Sequence, residues 1–257
     1  MKRMSMHKGM KSGSWKLVII SIILGIIFGS FSYLSAVDRL ERHAISVEAD
    51  NDELVLDDIL VTSFLHRDFD QFDYLWRKDS TVLMSPIIFY LVGSLVGTHP
   101  FLKKNKSYHY FIYTRCYDNR RLSYFLLSKI CFPIFSYSLF YFVSLCVGMI
   151  LFKSDFIEPV LKISVVDLIS FFIIRLLVLL FLVLVMFMIF IKKETAVAVV
   201  VSILTITFIF LITIHVQVVN LALLDDFKYM VKSILLWGII NFLMYLTIKF
   251  GIRYELS

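Results

Sequence analysis

Two sets of side chains in this 257-residue sequence have the types and spacing for chemistry. The first lies in the segment 103–125, KKNKSYHYFIYTRCYDNRRLSYF, where Tyr110, Tyr113 and Tyr117 fall at i, i+3 and i+7 on one helical face. Arg115, Arg120 and Arg121 add rigid forks of N–H donors beside them. Tyr and Arg together are the side chains that anchor protein interfaces, and they also settle at the headgroups of an inner leaflet. Stacking on nucleic acid is a third use of basic aromatic segments, and a loop of 23 residues between membrane spans does not suit it. The second set interrupts apolar runs: Arg175, His215, Gln217 and Asn241. Polar groups in hydrocarbon are costly and demand a reason. For Arg175 two readings stand: pairing or snorkelling with Asp167, Asp155 or Glu158, or lining a substrate path. His215 and Asn241 share that choice, with hydrogen bonds between helices as the alternative.

Equally informative is the chemistry that the sequence lacks. No GxxxxGK[ST] occurs, so the chain has no P-loop for ATP phosphates. His66-Arg67-Asp68 spells the kinase catalytic triplet, without a glycine-rich loop, DFG or downstream Asn. Neither HExxH nor GxSxG appears, and no CxxC is present to hold a metal. Asp50-Asn51-Asp52-Glu53 has the beginning of a calcium loop but not its glycine or distant glutamate, and reads as a solvated acidic face. Cys116 falls in the basic loop, and Cys131 and Cys146 fall in an apolar run, so no structural disulfide is expected. The chain itself is expected to hold no catalytic residue, cofactor or metal.

The elements that must position these residues are membrane helices. Hydrophobic residues make up 59% of the chain and charged residues 18%, against about a quarter charged in soluble domains. That balance excludes a soluble enzyme or a soluble DNA-binding protein. Six stretches approach the ~20 apolar residues that a spanning helix needs: 17–37, 81–102, 125–152, 168–191, 196–219 and 232–250. The first is longer than a signal-peptide core and has Tyr33 or Leu34 where cleavage wants a small residue, so it reads as retained. The expectation is an all-α polytopic membrane protein of six spans.

Charge orients the spans. Segment 1–16 carries Lys2, Arg3, Lys8, Lys11 and Lys16 without an acid, and reads as a cytoplasmic amphipathic segment. Segment 38–80 holds five basic residues against twelve acidic ones, whereas Lys103, Lys104, Lys106, Arg115, Arg120, Arg121 and Lys129 face only Asp118 across 103–129. Basic ends alternate with acidic ends, which places both termini, the loop 103–125 and the tail 251–257 in the cytoplasm. Segments 38–80 and 153–167 fall outside. In the acidic outer segment Leu56, Ile59, Leu60 and Phe64 recur at helical spacing, as do Phe69, Phe72, Leu75 and Trp76. Two short amphipathic helices follow, lying on the membrane or packed as a small cap. Gly25 and Gly29 in the first span, with Ser21, and Gly93 and Gly97 in the second form small-xxx-small motifs, for packing within the chain or at a dimer interface.

This arrangement resembles the permease subunits of type 2 ABC exporters. The resemblance rests on six spans, a basic segment before the first, and a charged helical loop between spans two and three. Tyr113-Thr114-Arg115, Asp118-Asn119-Arg120-Arg121 and Ser128-Lys129 stand in the order of that family's coupling-helix loop, with Lys106-Ser107 where the family usually has glycine. The resemblance implies that Tyr110, Tyr113, Arg115, Tyr117, Arg120 and Arg121 contact a separate cytoplasmic ATPase, which would bind the ATP and Mg. It further implies pairing with a second permease copy or paralogue in a bacterial cell membrane. A hydrophobic or amphipathic substrate, such as a peptide, bacteriocin, toxin or lipid-like compound, would be exported past Arg175, His215 and Asn241. The alternative expectation is a membrane immunity or sensor protein that sequesters a cationic peptide at the acidic segment without transport.

Overall fold

A computed structural model describes residues 7–46, 55–64, 84–102, 127–151, 163–192, 195–215, 221–222 and 227–254. The coupling loop 103–125 lies outside the described residues, as do most of segment 153–167 and the second amphipathic stretch of segment 38–80. Among the described residues the elements are all helical: α1 (His7–Ser46), α2 (Leu56–Phe64), α3 (Met84–Leu102), α4 (Phe132–Leu151), α5 (Val165–Lys192), α6 (Thr195–His215) and α7 (Met230–Tyr254). A π turn (Leu127–Cys131) leads into α4, and a 3₁₀ turn (Phe227–Tyr229) leads into α7.

Local sequence sets where several of these helices start. Ser164 caps α5: the Asp167 amide donates to its hydroxyl at 3.1 Å, and that hydroxyl donates to the Asp167 carboxylate at 2.6 Å. The pair is a variant of the capping box in which the Asp167 carboxylate takes the Ser164 hydroxyl and not its backbone amide. At α2 the Val55 amide donates to the Asp58 carboxylate at 2.8 Å, and the Asp58 amide returns a bond to the Val55 carbonyl at 3.0 Å. Pro86 lies in the first turn of α3 and Pro133 in the first turn of α4, where a missing N–H does least harm. Pro133 has no N–H for the carbonyl four residues back, and the wider π turn falls immediately before it.

Four apolar windows are long enough to cross a bilayer: Trp15–Glu41, Lys129–Leu151, Val165–Phe190 and Met230–Ile248. Shorter apolar stretches, Met84–His99 and Val199–Thr213, lie within α3 and α6. Large apolar side chains point outward along whole faces, including Ile19, Ile23, Ile27 and Phe31 on α1 and Leu235, Ile239, Phe242 and Leu243 on α7. Water would not tolerate faces of that extent on a monomer, whereas hydrocarbon does. The chain is a membrane protein.

Helix α5 is the hub. Its Leu179, Val183 and Phe187 are fully buried, and it packs against α3, α4, α6 and α7. Helix α1 lies along α4 for most of its apolar length. The four glycines of the small-xxx-small motifs all serve close approach inside the chain. A Cβ at Gly25 would sit 2.6 Å from the Tyr137 carbonyl oxygen of α4, and one at Gly29 would collide with the Tyr141 carbonyl. On α3, Gly93 receives Leu179 and Tyr137, and Gly97 receives Val183 and Ile134. Ser30 and Ser144 join hydroxyls at 2.8 Å across the α1–α4 seam, and Ser144 also donates to the Ile26 carbonyl at 3.1 Å.

Candidate functional site

Arg175 stands in the third turn of α5, roughly 15 Å along the axis from its start, which is about half the thickness of a bilayer core. Its side chain is completely buried. Nη1 donates to the Tyr90 hydroxyl of α3 at 3.2 Å and to the carbonyl of Ala222, in the segment between α6 and α7. The Tyr90 hydroxyl donates to that same carbonyl at 3.0 Å, so cation, phenol and carbonyl form a closed triangle. Aromatic faces complete the surroundings, with the Phe171 ring 4.7 Å and the Phe64 ring 5.3 Å from the guanidinium carbon. Such faces attract a cation through the ring quadrupole. Among the described residues, Nε and Nη2 have no hydrogen-bond partner.

Each partner is delivered by its own element. The amphipathic pattern of α2 turns Val55, Ile59, Leu60 and Phe64 inward, all buried, so this piece of the acidic segment is a docked cap. Phe64 enters a nest of rings and lies 5.3–5.7 Å, centroid to centroid, from Phe89, Tyr141, Phe142 and Phe171. Ala222 is held from three directions. Its amide donates to the Thr213 hydroxyl of α6 at 3.1 Å, its carbonyl closes the triangle, and the neighbouring Leu221 carbonyl accepts from the Trp237 indole of α7 at 3.1 Å. Non-helical backbone survives at membrane depth only when protein satisfies it in this way.

Of the carboxylates proposed to pair with Arg175, Asp167 is engaged at the α5 cap by Ser164, and Asp155 and Glu158 lie outside the described residues. Asn241 stands apart from Arg175 in its bonding. Its amide donates to the Leu177 carbonyl of α5 at 2.9 Å and to the Trp237 carbonyl at 2.8 Å, tying α7 to the hub. The backbone of His215 ends α6, and its side chain lies outside the described residues, as do Tyr110, Tyr113, Arg115, Tyr117, Arg120 and Arg121. Gly25, Gly29, Gly93 and Gly97 are seams of the bundle and do not border Arg175. Sequence reasoning passed over Tyr90 and Ala222. Tyr90 carried a faint signal, a hydroxyl within an apolar run, whereas a backbone carbonyl such as that of Ala222 carries none.

Among the described residues no group of three or more His, Cys, Asp or Glu is placed to hold a metal. Cys131 and Cys146 are half-buried free thiols. Compared with known proteins, the chain matches no family model, no curated protein and no solved structure.

Proposed function

We propose that this chain is the transmembrane permease subunit of an ATP-driven exporter of the type 2 ABC kind. Helices α3 and α6 then join the four long apolar helices as the second and fifth of six spans, with both termini in the cytoplasm. At ~1.5 Å per residue their 19 and 21 residues reach about 29 and 32 Å, close to the ~30 Å of a bilayer core. The observation that carries the reading is the loop 103–125. It combines Tyr110, Tyr113 and Tyr117, spaced i, i+3 and i+7, with Arg115, Arg120 and Arg121, at the basic end of two spans, in a sequence without a nucleotide motif of its own. A separate ATPase supplies the free energy, because nucleotide shifts a conformational equilibrium only by binding one state better than the other. The cargo is a hydrophobic or amphipathic compound exported across a bacterial cell membrane, and a second permease copy or paralogue completes the pore.

A mild-detergent pull-down of the tagged chain from its native membrane tests this reading. The expected stoichiometric partner is a P-loop ATPase, released when Arg115, Arg120 and Arg121 are replaced by Ala. Recovery of the chain without an ATPase, or ATPase association and export unchanged by the triple replacement, refutes it. Protection against a cationic peptide that persists without ATPase activity would assign the chain to immunity or sensing instead.

A further inference from the structure

The bonding of Arg175 is lopsided in a way that points to a ligand. A guanidinium has two forked edges able to grip a pair of oxygens, and the side-on edge is formed by Nε–H and the Nη2–H beside it. The protein occupies Nη1 with Tyr90 and Ala222, and among the described residues both donors of the side-on edge are unpartnered inside a fully buried residue. No counter-charge stands beside it among the described residues, and a buried unpaired charge is among the least favourable groups a membrane helix can carry. Phe64 and Phe171 offset part of that cost through their faces, but a ring face gives neither N–H an acceptor. The Asp167 carboxylate is held at the α5 cap, eight residues and about 12 Å along the axis from Arg175.

We propose that the Nε/Nη2 edge of Arg175 is an occluded binding site for one carboxylate or phosphate group carried on an apolar body, with Phe64 of α2 as the plug over it. Two parallel N–H···O bonds to such a group satisfy both idle donors and neutralise the charge at once. The Phe89, Phe142 and Phe171 rings that pack against Phe64 take the apolar body where Phe64 withdraws. The cover is the element least able to hold its place alone. Helix α2 has nine residues, below the length at which an isolated helix is stable, and its buried Ile59, Leu60 and Phe64, with Val55 just before it, are what dock it. Apart from the Ala222 carbonyl, the other walls belong to helices of 19 to 28 residues. Binding at this edge stands on the geometry alone, whereas its occupant being the exported cargo rests on the permease reading.

The experiment is calorimetric titration of the full chain, in phosphatidylcholine nanodiscs and without ATPase, with dodecyl phosphate as the probe. The wild-type chain is expected to bind it, dodecanoate to compete, and neutral dodecanol not to compete. Arg175→Lys keeps the charge but loses the fork, and is expected to weaken binding about tenfold or more. Phe64→Ala removes the plug and is expected to tighten binding about tenfold, an effect that needs no change at Arg175. Equal affinity in the wild type and Arg175→Lys, or competition by dodecanol as strong as by dodecanoate, overturns the proposal. Inorganic phosphate that competes as well as dodecyl phosphate keeps the fork but overturns the apolar body, making the ligand a free anion. Should Arg175→Lys not fold, the competition series and Phe64→Ala still decide. With no ATPase in the assay, failure here leaves the permease reading intact, and failure of the pull-down leaves this site intact.

Discussion

Helix α4 has two sides that hold its neighbours by opposite means, and Tyr141 belongs to both. Its backbone carbonyl meets Gly29 of α1, where the absence of side chains lets two helices touch main chain to main chain. Its ring meets Phe64 and Phe89, where the largest side chains in the bundle crowd around Arg175. The glycine seam has no part that can adjust. Its serines bond to each other and to a carbonyl, and any added atom collides with backbone. The arginine centre is built of long side chains and a short helix, with donors still to be satisfied. Rigid complementarity belongs to scaffolding, whereas an unmade hydrogen bond on a buried charge, costlier than one on a hydroxyl, calls for a further partner.

Substitutions can break this contrast at either side. The largest expected effect is at Gly29→Leu, whose side chain must displace the α4 backbone at Tyr141 and Ser144. It should destabilise by about 3 kcal/mol or more, seen as loss of the monodisperse species on size exclusion in detergent. Phe64→Ala should lower stability by about 3 kcal/mol, but locally. Amide exchange is expected to rise across residues 56–64 while α4 keeps its protection, and a matching loss in α4 would erase the distinction between plug and scaffold. Gly238 lies on α7 with nothing within 4 Å of the position a Cβ would take. Gly238→Ala should therefore raise stability by about 0.5–1 kcal/mol through helix propensity, opposite in sign to Gly29. The smallest effect on stability is expected at Arg175→Met, a swap of a buried charge for an apolar chain of similar length. Tyr90 still serves the Ala222 carbonyl, so the unfolding free energy should stay within about 0.5 kcal/mol of wild type and the thermal midpoint nearly unchanged, while dodecyl phosphate binding is lost. A steep fall in the midpoint would make Arg175 a structural residue.

Hydropathy and cap chemistry made the helices legible. The apolar runs and the Ser164-x-x-Asp167 box mark α5, and the spacing of Leu56, Ile59, Leu60 and Phe64 marks α2. The glycine spacing announced close helix contacts without naming the partner, because a small residue states only that something comes near. Arg175 was legible as an anomaly, but its surroundings were not. Tyr90 and Ala222 are 85 and 47 residues away along the chain, and one of them contributes only a main-chain carbonyl.

The sequence by itself determined that this chain is helical and belongs in a membrane. Length of apolar run and periodicity are local properties, and hydrocarbon leaves the backbone few alternatives to the helix. It also carried the alternation of charge and the basic aromatic loop on which the proposed partner rests. Only the tertiary structure decided that α2 docks into the bundle with Phe64 beside Arg175, that Gly25 and Gly29 meet α4, and that Arg175 is bonded at Nη1 while Nε and Nη2 have no partner among the described residues. Those are facts of which helices meet and at what depth, fixed by packing between residues far apart in the chain, and no local pattern encodes them.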